Sequence, residues 1–237
     1  MIREPLVLVP PILCDARVFS PQIDGLSGEF PVMFAPTVHG ERMEEIAGQI
    51  LDWAPSKFAL AGMGMGGSVA LEVMRRAPDR VTRIALISAS IQEETPEMAS
   101  AREPLIVAAR SGRFDHVVAS EISAEHLSPS PLRNAILDLV ADMARSNGTE
   151  AYVKQARAMQ RRKDQQITLR KIKQPALVMC GQDDALVPVR RHEFLAEMIP
   201  YAKLEIIANA GHLPTLEEPV MTNMVLRDWM RQPLMLR

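Results

Sequence analysis

The chain has 237 residues, 47% of them hydrophobic and 24% charged, a length and composition that one domain can close around a single sizeable core. A formal net charge of -2 excludes the strongly basic balance of a nucleic-acid or anionic-membrane binder, so a small-molecule partner is expected instead. The apolar run 6–14 is interrupted by Pro10 and Pro11, is too short to span a membrane and lacks a signal-peptide cleavage site, while the only two cysteines, Cys14 and Cys180, lie far apart; a cytoplasmic address is expected.

In chain order, short apolar runs at 5–9, 32–34, 58–61, 83–88, 176–180 and 204–207 read as buried parallel strands. Amphipathic patterns at 43–53, 68–76, 190–198 and 220–230 read as helices lying between or after them. The alternation predicts an α/β fold, a mostly parallel sheet flanked by helices. From 91 to 172 no strand is expected, only helical stretches at 104–110, 132–145 and 150–161. That interval reads as an inserted helical cap, with 1–90 and 173–237 forming the core.

A strand at 58–61 runs into Gly62-Met63-Gly64-Met65-Gly66-Gly67 and leaves as a helix. Gly62, Gly64 and Gly67 match the Gly-x-Gly-x-x-Gly spacing of a dinucleotide site, where bare backbone approaches a pyrophosphate. Such a site needs an acidic residue after the following strand to hold a ribose, and 83–88 runs into Ala89 and Ser90 instead. A nucleotide-dependent oxidoreductase is therefore the weakest reading, and no cofactor is expected.

Gly62, Gly64 and Gly66 also occupy the first, third and fifth places of Gly-x-Ser-x-Gly. Together with Arg76-Ala77-Pro78-Asp79-Arg80-Val81, with Cys180-Gly181-Gln182-Asp183-Asp184 before Pro188, and with Asn209-Ala210-Gly211-His212, they make the chain resemble the α/β-hydrolases over nearly its whole length. The resemblance implies a nucleophile elbow at Gly64, an acid at Asp184 rather than Asp183, and a base at His212, in the order found along such chains. It also implies an oxyanion hole from the backbone amides of Met65 and Ile12. Two departures stand out. Gly64 replaces the serine, and Pro10-Pro11 stand where the resembling proteins have His-Gly or Pro-Gly.

The residue types set the expected chemistry. A carboxylate beside one imidazole nitrogen fixes the tautomer and leaves the other nitrogen to take a proton. Without the serine, the acyl-enzyme route is closed. Ser68 is expected inside the helix as a packing residue, and Cys14 as an inert thiol rather than a substitute nucleophile. Arg157, Arg161, Arg162 and Lys163 read first as a solvated helix end and second as a site for a carboxylate or phosphate. Met98, Met143 and Met159 could line a pliable pocket; His116 and His126 have no ligand pattern, so no metal is expected.

Three functions stay open on this basis. One is hydrolysis of a small ester, lactone or thioester, with Gly64 an engineered replacement or a natural loss. Another is direct general-base action by His212 and Asp184 on water or a substrate proton, and the third is a ligand-binding pseudoenzyme. The sequence does not set the oligomeric state.

Overall fold

A computed structural model describes residues 4–234. Six strands, β1 (Leu6–Val9), β2 (Val32–Phe34), β3 (Phe58–Met63), β4 (Val81–Ile87), β5 (Ala176–Gly181) and β6 (Ala202–Ile207), form one sheet in the order β2-β1-β3-β4-β5-β6. Every pairing is parallel. The strands that sequence periodicity makes most apolar, β1, β3 and β5, are buried at every residue. At the edge, β6 carries Lys203 and Glu205 and is only partly buried, which suits a strand with one unpaired side.

Before β4 lie α1 (Ser20–Leu26), α2 (Met43–Trp53) and α3 (Met65–Arg76); after β5 come α9 (Val189–Met198), α10 (Pro214–Glu217) and α11 (Pro219–Arg231). Five helices intervene between β4 and β5: α4 (Pro96–Arg110), α5 (Phe114–Glu121), α6 (Arg133–Asn147), α7 (Thr149–Gln160) and α8 (Gln166–Leu169). No strand occurs there, as the periodicity predicts. Helix α4 starts earlier than the expected residue 104. Thr95 caps it by accepting the Met98 amide, Pro96 opens it, and the helix continues through Pro104. Helix α1 escapes periodicity because Pro21 and Gly25 leave it too few apolar positions to form a stripe.

The strand order places the site. From β1 the chain moves outward to β2, then crosses back to add β3 on the other side of β1. The carboxyl ends of β1 and β3 are therefore adjacent at a topological switch point, where ligands bind in open α/β sheets. Val9 pairs with Gly62 there, and β3 ends one residue later at Met63, so the segments beginning at Pro10 and Gly64 leave the sheet close together.

Candidate active site

Gly64, between β3 and α3, has φ 54° and ψ -119°. Side chains strain that backbone and glycine does not, so the sharp strand-to-helix turn forms at no steric cost. The turn also fixes where α3 begins. The helix opens at Met65, three residues before the expected 68, and its first amide has no intrahelical acceptor.

Asp184 and His212 come from the loops after β5 and β6. Gly181 lets those loops close on each other, because a Cβ there would lie 2.1 Å from the Gly211 carbonyl oxygen. Both side chains are buried, and His212 Nδ1 lies 3.1 and 3.0 Å from the two Asp184 carboxylate oxygens. Burial works to raise the Asp184 pKa, but the charge and hydrogen bond of His212 and the Val187 amide outweigh it and hold the carboxyl below its ordinary value. The pairing leaves Nε2 of His212 directed at the elbow, 3.7 Å from where a Cβ on Gly64 would stand.

Pro11 occupies the same corner. Its Cβ lies 2.9 Å from that Cβ position, closer than side-chain atoms normally approach. The two departures noted in the sequence thus meet in space: the proline ring of the β1 loop packs tightly against the position a Cβ on residue 64 would take.

Glu217 fastens the histidine loop. Its carboxylate accepts the amides of Gly211 (2.8 Å), Leu213 (2.8 Å) and Ser128 (2.7 Å), while the His212 amide donates to the His126 carbonyl at 2.8 Å. Burial pushes the Glu217 pKa up despite these three donors. The β1 loop is fastened from the other side. Gln155 of α7 accepts the Leu13 amide at 3.0 Å and donates to Thr37 at 2.9 Å, and Asn147 donates to the Leu13 carbonyl at 3.0 Å.

A cavity of about 490 Å³ joins these parts, lined by Pro11, Ile12, Gly64, Met65 and His212 on the sheet side. Met98, Arg102, Glu121, Ile122, Met159 and Arg162 line it from the intervening helices. Another cavity, of about 510 Å³, lies among Glu44, Glu72, Arg75, Lys163 and Thr168; it holds none of the elbow, acid or base residues.

Other candidates separate clearly. Ser68 sits in α3 and donates to the Ser90 carbonyl at 3.0 Å. Cys14 is buried, and burial first, then Asp15, push its thiol well above the ordinary range, so it remains protonated and unreactive. Asp183 is exposed and accepts from the Ser128 hydroxyl at 2.7 Å. Met98 and Met159 line the cavity, whereas Met143 is buried and its sulfur meets the Asp15 amide at 3.5 Å. His126 accepts the Ser123 amide in a capping arrangement, and no metal-ligand cluster occurs among the described residues.

Sequence reasoning missed Ser88, at the end of β4. It has φ 44°, lines the cavity, and its buried hydroxyl has no hydrogen-bond partner among the described residues. Nothing in one sequence marks such a serine, because both its backbone strain and its neighbours are tertiary.

A parallel sheet with an elbow glycine after β3, an acid after β5 and a histidine after β6 defines the α/β-hydrolase class. Residues 8–223 match the family model described as "Alpha/beta hydrolase family", and the chain belongs to that family. Among curated proteins it is similar to pimeloyl-[acyl-carrier protein] methyl ester esterase of Aromatoleum aromaticum, with 28% identity covering 94% of this chain and 91% of that protein. Among solved structures it resembles a malate-bound thermophilic esterase from Thermogutta terrifontis, with 27% identity, a TM-score of 0.85 and coverage of 96% and 89% of the two chains. The enol-lactonase from Burkholderia xenovorans LB400 shares the fold at a TM-score of 0.85 and 22% identity, covering 97% of this chain and 92% of that one. No described helix is long and apolar enough to cross a membrane.

Proposed function

We propose that this protein hydrolyses a small ester, lactone or thioester by direct attack of water, with His212 as general base in place of a serine-based acyl transfer. The observation that carries the reading is the Asp184–His212 pair aimed at a glycine turn, with Pro11 crowding the position a side chain on residue 64 would take. Esterase relatives support the substrate class.

In this scheme His212 Nε2 removes a proton from water as the water oxygen bonds to the acyl carbon. Asp184 keeps the other ring nitrogen protonated and stabilises the imidazolium. The carbonyl electrons move to oxygen, and the amides of Met65 and Ile12 hold the resulting oxyanion. When that intermediate collapses, the proton on Nε2 passes to the departing alkoxide or thiolate. Residues 91–172 act as a cap that limits bulk water around the acyl group.

The route lacks a covalent intermediate, and removing the nucleophile from a serine hydrolase costs about 10⁶-fold in turnover. Slow turnover is therefore expected, measurable with activated esters such as p-nitrophenyl acetate and butyrate. His212→Ala should lower kcat by about 10²-fold or more while leaving the fold intact, in line with the usual contribution of a general base. Equal rates for the two proteins would exclude His212 as the base. Retention of an intact ester, unchanged on prolonged incubation, would identify a binding protein instead.

A further inference from the structure

The end of α7 and the residues after it carry four cationic side chains with different fates. Arg157 pairs with Glu103, Arg161 with Glu41 at 3.0 Å, and Lys163 with Glu44 at 2.8 Å. Arg162 alone turns inward. It is 7% exposed and lines the cavity that contains Gly64, Met65 and His212. Its Nε has no hydrogen-bond partner among the described residues, and the guanidinium's single hydrogen bond there is Nη1 to the Met159 sulfur at 3.7 Å.

Two of the carboxylates in the same wall, Glu94 and Glu121, are already engaged, and the third, Glu93, is exposed to solvent. Both oxygens of Glu94 receive Arg102 Nε, at 2.8 and 3.0 Å. Glu121 Oε1 receives Arg102 Nη1 at 3.2 Å and the Tyr152 hydroxyl at 2.8 Å. Glu94 interacts with Arg162 through space but gives it no hydrogen bond. Burial lowers the Arg162 pKa to about 10, so the side chain stays cationic at neutral pH. A buried guanidinium bonded to one thioether is a standing cost to the fold, since buried charge is tolerated where it is paired and fully hydrogen-bonded.

We propose that Arg162 is the binding residue for a carboxylate on the ligand, which places an anionic group at the cap side of the cavity and the reacting carbonyl at the elbow. The planar fork of a guanidinium matches a carboxylate through two parallel hydrogen bonds. Among polar neighbours such as Ser90, Gln92 and Thr95, the same cavity presents the apolar side chains of Met98, Ile122 and Met159, against which a short methylene chain can pack. The ligand class is therefore a half-ester or half-thioester of a short dicarboxylic acid. This inference rests on the reading above for the location of the reacting carbonyl, but not on turnover.

The test is calorimetric titration of the intact protein with monomethyl succinate, glutarate and adipate, with the corresponding dimethyl esters as neutral controls. The wild type should bind at least one half-ester about tenfold more tightly than its diester. Arg162→Met should abolish that preference, leave diester binding unchanged and raise Tm, because it removes an unpaired buried charge. Arg162→Lys keeps the charge without the fork and should retain part of the preference, which covers the case in which the methionine variant does not fold. A wild type without preference for half-esters, or a preference that survives in a folded Arg162→Met protein, would overturn the assignment. Binding by His212→Ala separates the two proposals: half-ester binding retained with no turnover in any form sinks the hydrolytic reading alone.

Discussion

At the scale of single residues, Gly64 and Pro11 are packed so closely that a change at one bears on the other. Adding a serine at position 64 imposes a positive φ on a residue with a side chain, a strain on the order of 1–3 kcal/mol. It also drives the new Cβ against Pro11. Gly64→Ser alone should therefore lower Tm by roughly 5 °C and gain little activity. Pro11→Gly with Gly64→Ser should recover much of the stability and raise kcat on p-nitrophenyl esters by about 10²-fold or more, as expected when a positioned nucleophile is restored. A double variant no faster than either single one would show that Pro11 is not what closes the serine route. His192, fully buried behind the pair, adds a pH effect. Burial depresses its pKa from 6.5 to about 4, against the opposing pull of Asp184 and the Pro188 carbonyl. Between those values the unfolded chain binds a proton that the folded chain refuses, so stability is complete above pH 6.5 and falls as pH drops toward 4, by up to roughly 3 kcal/mol. Urea denaturation at several pH values should show this slope, and His192→Leu should flatten it.

At the scale of elements, the candidate site stands on loop ends whose positions are set by their neighbours. The loop after β6 depends on Glu217 of α10, whose two oxygens gather three amides. The loop after β1 depends on α7, through Gln155, although these segments lie more than a hundred residues apart in the chain. Gln155→Leu keeps the volume but strands the Leu13 amide and the Thr37 hydroxyl in the interior. Each unsatisfied group costs about 1–3 kcal/mol, so Tm should fall by roughly 5–10 °C, and turnover should fall with it because the loop carrying Ile12, the proposed oxyanion donor, loses its hydrogen bond at Leu13. Differential scanning calorimetry and a kcat measurement on the same preparation check both expectations.

At the scale of the molecule, the helices between β4 and β5 share one hydrophobic cluster with the sheet. Ile106, Val140, Tyr152 and Val153 of those helices belong to the same buried group as Leu8, Leu60 and Leu86 of the strands. With no separate core of their own, residues 91–172 should not melt independently. Calorimetry is expected to give one transition with equal calorimetric and van't Hoff enthalpies; two resolved transitions would show a cap that folds as its own unit. The cavity lies between these two parts, so its shape depends on their docking as much as on the elbow.

The amino-acid sequence by itself determined the sheet and the glycine turn after β3, and it singled out Asp184 and His212, which the fold brings into contact. Buried parallel strands require unbroken apolar runs, a sharp turn at positive φ selects glycine, and the family's spacing picks Asp184 over its neighbour Asp183. Tertiary structure alone decided what Pro11, Arg162, Ser88 and Glu217 do. Charge type and periodicity treat Arg162 like Arg161 and Lys163, yet three of the four cations find surface carboxylates and one turns inward. Whether a side chain is paired or stranded depends on which distant segments pack against it, and local sequence patterns carry no record of those contacts.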